Sequence, residues 1–116
     1  MTGKSFRLDA TQIKQLVTGH GYCYASDRIT VDGKLVGYMY RERPDKAGDS
    51  GWRFFSGDEA QDYADNATNF AMYDVNTIAN YDPKIIPYLD TPPPSAFARD
   101  TVAGTFEAEN FEEPDE

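Results

Sequence analysis

The spacing of apolar positions changes several times along the chain, and each change marks an element. Behind Asp9 and Gln12, a capping-box pair, Ile13, Leu16 and Val17 fall at i, i+3 and i+4, and Gly19 and Gly21 follow. That spacing predicts a short helix over about 9–18. Tyr22 to Ser26 reads as a strand, with a turn at Asp27. Ile29 to Val31 and Leu35 to Tyr40 flank Asp32-Gly33, a dipeptide suited to a type I′ turn, so a hairpin is predicted there. Both faces of 35–40 are apolar, which puts that strand inside a sheet. A polar loop over 41–51 leads to Gly51-Trp-Arg-Phe-Phe55, where Trp52 and Phe54 alternate with Arg53 and Phe55.

Ser56-Gly-Asp-Glu59 has the spacing of a second capping box and predicts a helix to about Ala64, with Ala60, Tyr63 and Ala64 inward. A turn over 65–69 and a strand from Phe70 to Tyr73 come next. Asp74 is placed to cap a helical turn ending at Tyr81, and Asp82-Pro83 to open another. Pro92 to Pro94 is a stiff connector. Ala96–Arg99 and Thr105–Glu107 form a last pair of strands around Ala103-Gly104. The expected fold is α+β: one small domain over 1–107, mainly an antiparallel sheet with short helices. The acidic stretch 108–116 is expected to be a disordered tail.

Charge narrows the choice of partner. The chain has 116 residues and a net charge of -9, yet residues 1–99 carry 13 acids against 11 bases. Seven acids and no base follow Arg99, and six acids lie between Arg53 and Lys84 without a base among them. Such surfaces repel phosphate backbones and attract basic proteins, so a protein partner is expected and nucleic acid is not. The alternative is that the acidic stretches only maintain solubility. No apolar run is long enough to cross a bilayer, and the N-terminal stretch lacks the apolar segment of a secretory signal, so a cytoplasmic protein is expected.

Catalytic chemistry finds little support. One Cys and one His exclude a disulfide framework and a multi-histidine metal centre. Gly48-Asp-Ser-Gly51 resembles the surroundings of a trypsin-like nucleophile over four residues only, and a turn is the reading that remains. His20 and Cys23 straddle a glycine-containing loop that does not align them as a nucleophilic pair; a buried structural Cys is expected. Asp58, Glu59, Asp62 and Asp65 are oxygen donors of the type calcium and magnesium take, but their spacing fits no calcium loop. They read as a solvated helix face. No cofactor or metal is expected, and no enzyme activity. The aromatic group Trp52, Phe54 and Phe55 is either core or, for one or two members, a partner anchor. Arg53 is expected to pair with a nearby carboxylate.

Six segments carry a family resemblance: Ser26-Asp-Arg-Ile29, Asp32-Gly-Lys-Leu-Val-Gly-Tyr-Met-Tyr-Arg-Glu42, Asp49-Ser-Gly-Trp-Arg-Phe-Phe-Ser-Gly-Asp-Glu59, Tyr73-Asp-Val-Asn-Thr-Ile-Ala-Asn-Tyr-Asp-Pro83, Ile86-Pro-Tyr-Leu89 and Ser95-Ala-Phe-Ala-Arg-Asp100. This succession, over about 22–107, resembles immunity family thirty-three, a small bacterial family of the polymorphic-toxin immunity class. The resemblance implies a non-enzymatic protein that binds and blocks a cognate toxin. It brings no functional residues with it. A binding or regulatory domain unrelated to toxins is the alternative. A basic toxin domain would suit a surface of Asp58, Glu59, Asp62 and Asp65 with Trp52, Arg53 or Tyr63 beside it.

Overall fold

The computed structural model describes residues 5–44, 46–100 and 102–109. Among them, six strands form one sheet: β1 (Tyr22–Ser26), β2 (Tyr38–Arg41), β3 (Asp49–Phe55), β4 (Phe70–Asp74), β5 (Ser95–Arg99) and β6 (Phe106–Ala108). The order across the sheet is β4-β1-β3-β2-β5-β6. β1 and β3 run parallel, and the other neighbouring pairs are antiparallel. The helices are short: α1 (Asp27–Thr30), α2 (Gln61–Ala64) and α3 (Val75–Tyr81), with 3-10 turns at Ala10–Gln12, Ala67–Asn69 and Pro83–Tyr88. This is the α+β class that the pattern predicts.

Alternation within the strands decides where the core lies. Ala25, Phe54, Met39 and Phe97 sit side by side across β1, β3, β2 and β5 and point to one face. Ile29 of α1, Val75, Ile78 and Ala79 of α3, and Ile85 and Leu89 close over that face. Trp52 is fully buried there, stacked near Phe54 and Phe97. Its indole N–H donates to the Leu89 carbonyl at 3.1 Å, so the one polar atom of the ring is satisfied. Cys23 is buried in the same cluster, and burial pushes its thiol well above the usual range, as an inert structural cysteine requires.

Asp82 ties the core's borders together. It is 1% exposed, and its carboxylate accepts from Val36 N at 3.0 Å, Lys84 N at 3.2 Å and Arg99 Nη2 at 2.7 Å. The cap predicted for the helix after Pro83 is therefore also the acceptor that holds the segment leading into β2 and the end of β5. The cap predicted at Asp74 is present too, accepting from Asn76 N at 2.8 Å.

Three expectations are corrected. No hairpin forms at Asp32-Gly33. Ser26 caps a helical turn by accepting from Arg28 N, and Ile29, β-prone by type, enters the core from that turn. Gly33, at φ +80°, takes the left-handed conformation that lets the chain leave the helix. Burial at Ile29 has overridden strand propensity. The second correction concerns 9–18. The Asp9–Gln12 box forms, with Gln12 Oε1 accepting from Asp9 N at 2.9 Å, but only one 3-10 turn follows. Beyond it, Lys14 N donates to Asn80 Oδ1, while Leu16 N and Val17 N donate to Asn76 Oδ1. Both amide nitrogens return to Lys14 O. Side chains of α3 have taken the partners that a helix would have supplied from its own backbone. Third, the Ser56–Glu59 box closes without starting a helix at once: α2 begins at Gln61 with Ala60 before it, and Ala60 is exposed. Most of the predicted tail, 110–116, lies outside the described residues.

Two measurements check this packing. Trp52→Ala empties a fully buried indole site and is expected to lower unfolding stability by about 3–5 kcal/mol in chemical denaturation; a loss under about 1 kcal/mol would contradict the core assignment. Asn76→Ala is expected to cost about 1 kcal/mol and to speed amide hydrogen exchange at Leu16 and Val17 specifically. Unchanged exchange at those two amides would show that the clamp is not what holds the segment.

Candidate functional site

The other face of the sheet carries a different chemistry. Residues between the core positions place Met72, Tyr24, Arg53 and Tyr40 in one row across β4, β1, β3 and β2, with Phe55 beside Tyr38 in the next. Met72 is 57% and Tyr24 39% exposed, and Tyr38, Tyr40 and Phe55 are half-buried. Tyr40 and Phe55 stack at 5.9 Å between centroids, and Phe70 meets Phe55 edge-on at 5.5 Å. Here α2 and the 67–69 turn lean over one corner only, leaving a hollow of about 460 Å³. Tyr24, Tyr40, Arg53 and Phe55 line it from the sheet, and Ala64 and Asp65 from the α2 side.

A local irregularity builds the centre of this face. Tyr22 pairs with Asp49 but Tyr24 pairs with Arg53, so β3 carries a bulge between them. Gly51 sits in it at φ +87°, and a side chain there would strike the Glu42 carbonyl. Asp49 Oδ1 accepts from Gly51 N, and Ser50 Oγ from Trp52 N. The bend folds the Asp49 carboxylate back onto Arg53, which reaches both its oxygens at 3.0 and 2.9 Å. Arg53 Nε also donates to Glu42 at 2.9 Å, and Nη1 to the Trp52 carbonyl. Burial works against the charge on Arg53, but these two carboxylates outweigh it and raise its pKa. The same ion pair lowers that of Asp49. The guanidinium lies over the Tyr24 ring, 4.9 Å from its centroid. Gly48-Asp-Ser-Gly51 is thus the bulge of a strand; Ser50 is buried, and its hydroxyl is spent on the Trp52 N–H.

The residues chosen from sequence scatter. Trp52 is core and offers no surface to a partner, so it leaves the candidate set. Asp58 is occupied: Lys34 Nζ lies 2.5 Å away and the Ser56 hydroxyl donates to it, which lowers its pKa to about 2. Glu59 is turned inward. Burial alone would raise its pKa, but the Ser26 hydroxyl and the N–H groups of Ser56 and Gly57 prevail and lower it. Tyr63 packs edge-on near Phe70 at 6.3 Å, with the Arg28 guanidinium 4.8 Å from its ring centre. Asp62 and Asp65 are exposed, and of these Asp65 borders the hollow with Gln61 Nε2 bonded to it. The four carboxylates are therefore not one acidic face. Among the described residues no group of three or more His, Cys, Asp and Glu is arranged to hold a metal ion. No helix among them is long and apolar enough to cross a membrane.

The tyrosine face escaped the sequence reading, although its signal was present. Tyr22/Tyr24, Tyr38/Tyr40 and Arg53/Phe55 are i, i+2 pairs, each out of phase with the buried residues of its own strand.

Among the described residues, the outward face of the sheet is therefore rich in tyrosine, with a locked arginine at its centre. Residues 23–109 match the Immunity protein Imm33 domain, and the chain belongs to that immunity protein family. No curated protein and no solved structure matches the chain.

Glu59 offers a check on the site's border. Its folded pKa lies below the ordinary 4.5, so its contribution to stability is present above that value and lost as the pH falls through the lowered one. Glu59→Gln is expected to reduce the fall in unfolding free energy between about pH 5 and about pH 3. Equal falls in both proteins would refute the inward, hydrogen-bonded carboxylate.

Proposed function

We propose that the protein is an immunity protein that binds and blocks a cognate bacterial toxin in the cytoplasm, by docking and without catalysis. Family membership over residues 23–109 is the observation that carries this reading. The sheet face supports it. Tyr and Arg are the residue types that dominate interface hot spots, and rigid aromatic rings lose little entropy on docking. Carboxylates surround that face. Asp62 and Asp65 stand on its α2 side. Glu107 pairs across from Ala98, which pairs with Tyr38, and Glu109 N bonds the Ala96 carbonyl beside Tyr40. The proposed partner is a basic toxin domain, which such a rim would steer into contact. Arg53 and Tyr63 belong to the docking surface on this reading, and Asp58 and Glu59 lie at its outer border.

The test is protection. Toxin domains encoded beside the gene are expressed in a sensitive host with and without this chain, and growth and co-elution are measured. Restored growth together with a stable complex is the expected result. Failure to protect against every neighbouring toxin domain would sink the reading.

A further inference from the structure

The hollow on the sheet face has a chemistry narrower than that of the face around it. Its walls are aromatic: Tyr24, Tyr40 and Phe55 from the sheet, and Phe70 from β4. Asp65 stands exposed at the α2 side. Among the described residues the only cation lining it, Arg53, is matched by two carboxylates, Asp49 and Glu42, so this ion triad is negative by one charge. Four bonds to Asp49, Glu42 and the Trp52 carbonyl already engage the guanidinium, which leaves it poorly placed to receive an acidic ligand. Tyr24 shows what its ring accepts, since a guanidinium already lies over it.

Aromatic faces attract cations, and more strongly where water is thinned out. A carboxylate at the mouth of an aromatic hollow adds a charge-assisted bond. Resting on the docking reading above, we propose that this hollow receives a lysine or arginine side chain of the partner protein. The aliphatic stem lies against Phe55 and Phe70, and the charged end pairs with Asp65 at the rim, on the side of the hollow away from the Arg53 guanidinium that covers the Tyr24 ring. The volume, about 460 Å³, lies within the range of sites that enclose small ligands and leaves room for the backbone beside the inserted residue. Charge complementarity commits the site to a basic occupant.

Two arms test this on the full chain. In the first, blocked tripeptides with a central arginine, lysine or glutamate are titrated while aromatic-ring NMR signals are followed. The arginine and lysine probes are expected to shift Tyr24, Tyr40 and Phe55, with Asp65→Asn weakening the response roughly threefold. Shifts from the glutamate probe instead, or none from the basic probes, would overturn the proposal. In the second arm, Asp65→Lys and Ala64→Phe, which reverse the rim charge and fill the hollow, are compared with wild type in the protection assay after thermal melts establish folding. Loss of protection by folded variants is expected. Full protection by both would refute the hollow while leaving the immunity reading intact. Should the unaltered chain fail to protect, the immunity reading falls, and the peptide arm still decides the hollow.

Discussion

An arginine set in the middle of a sheet face must have its charge matched without leaving the pleat. In a regular strand, residues four apart lie about 13 Å from each other, too far for one side chain to grip the other. The bulge at Gly51 removes that distance and lets Asp49 clasp Arg53 from the same strand. Glu42, just beyond β2, completes the match from next door. The same seven residues carry Trp52 and Phe54 into the core on the opposite face. One irregular strand therefore separates a conventional apolar interior from a polar-aromatic exterior. Its pairing with both β1 and β2 spreads that separation across the sheet.

Much of this was legible from the residues. The alternation in 51–55 predicted which side chains share a face, because period 2 needs no tertiary information, but not which face is buried. Asp74 and Asp82-Pro83 marked real helix starts, because capping is a local matter of one side chain and two or three N–H groups. What failed depended on contacts distant in sequence. The segment after Gln12 has the apolar spacing of a helix, yet Asn76 and Asn80, more than fifty residues away, compete for its amides and win. Ile29 looks like a strand residue until the core claims it from a helical turn. The tyrosine face is the same kind of case. Each i, i+2 pair is visible in its own strand, but only the lateral order β4-β1-β3-β2 turns separate pairs into one surface.

The acidic run between Arg53 and Lys84 shows why charge in sequence and charge in space differ. Asp58 and Glu59 look like the start of an acidic patch, but Lys34 neutralises one and backbone amides absorb the other. Asp74 and Asp82 are spent on helix caps. The carboxylates near the tyrosines come instead from Asp65 at one end and from Glu107 and Glu109 on the last strand and just past it at the other. Those two groups are over forty residues apart in the chain and flank a common surface.

On the docking reading proposed above, that arrangement divides the work of recognition by physics. Rim carboxylates act at a distance of about a Debye length and mainly change how often a basic partner arrives. The rings inside act only on contact, through dispersion and quadrupole attraction, and mainly change how long it stays. The Arg53 triad belongs to neither group. It fixes the Tyr24 ring from above and ties β3 to the end of β2, so the surface is already formed before any docking. A preformed face loses less entropy on docking than one that must be assembled.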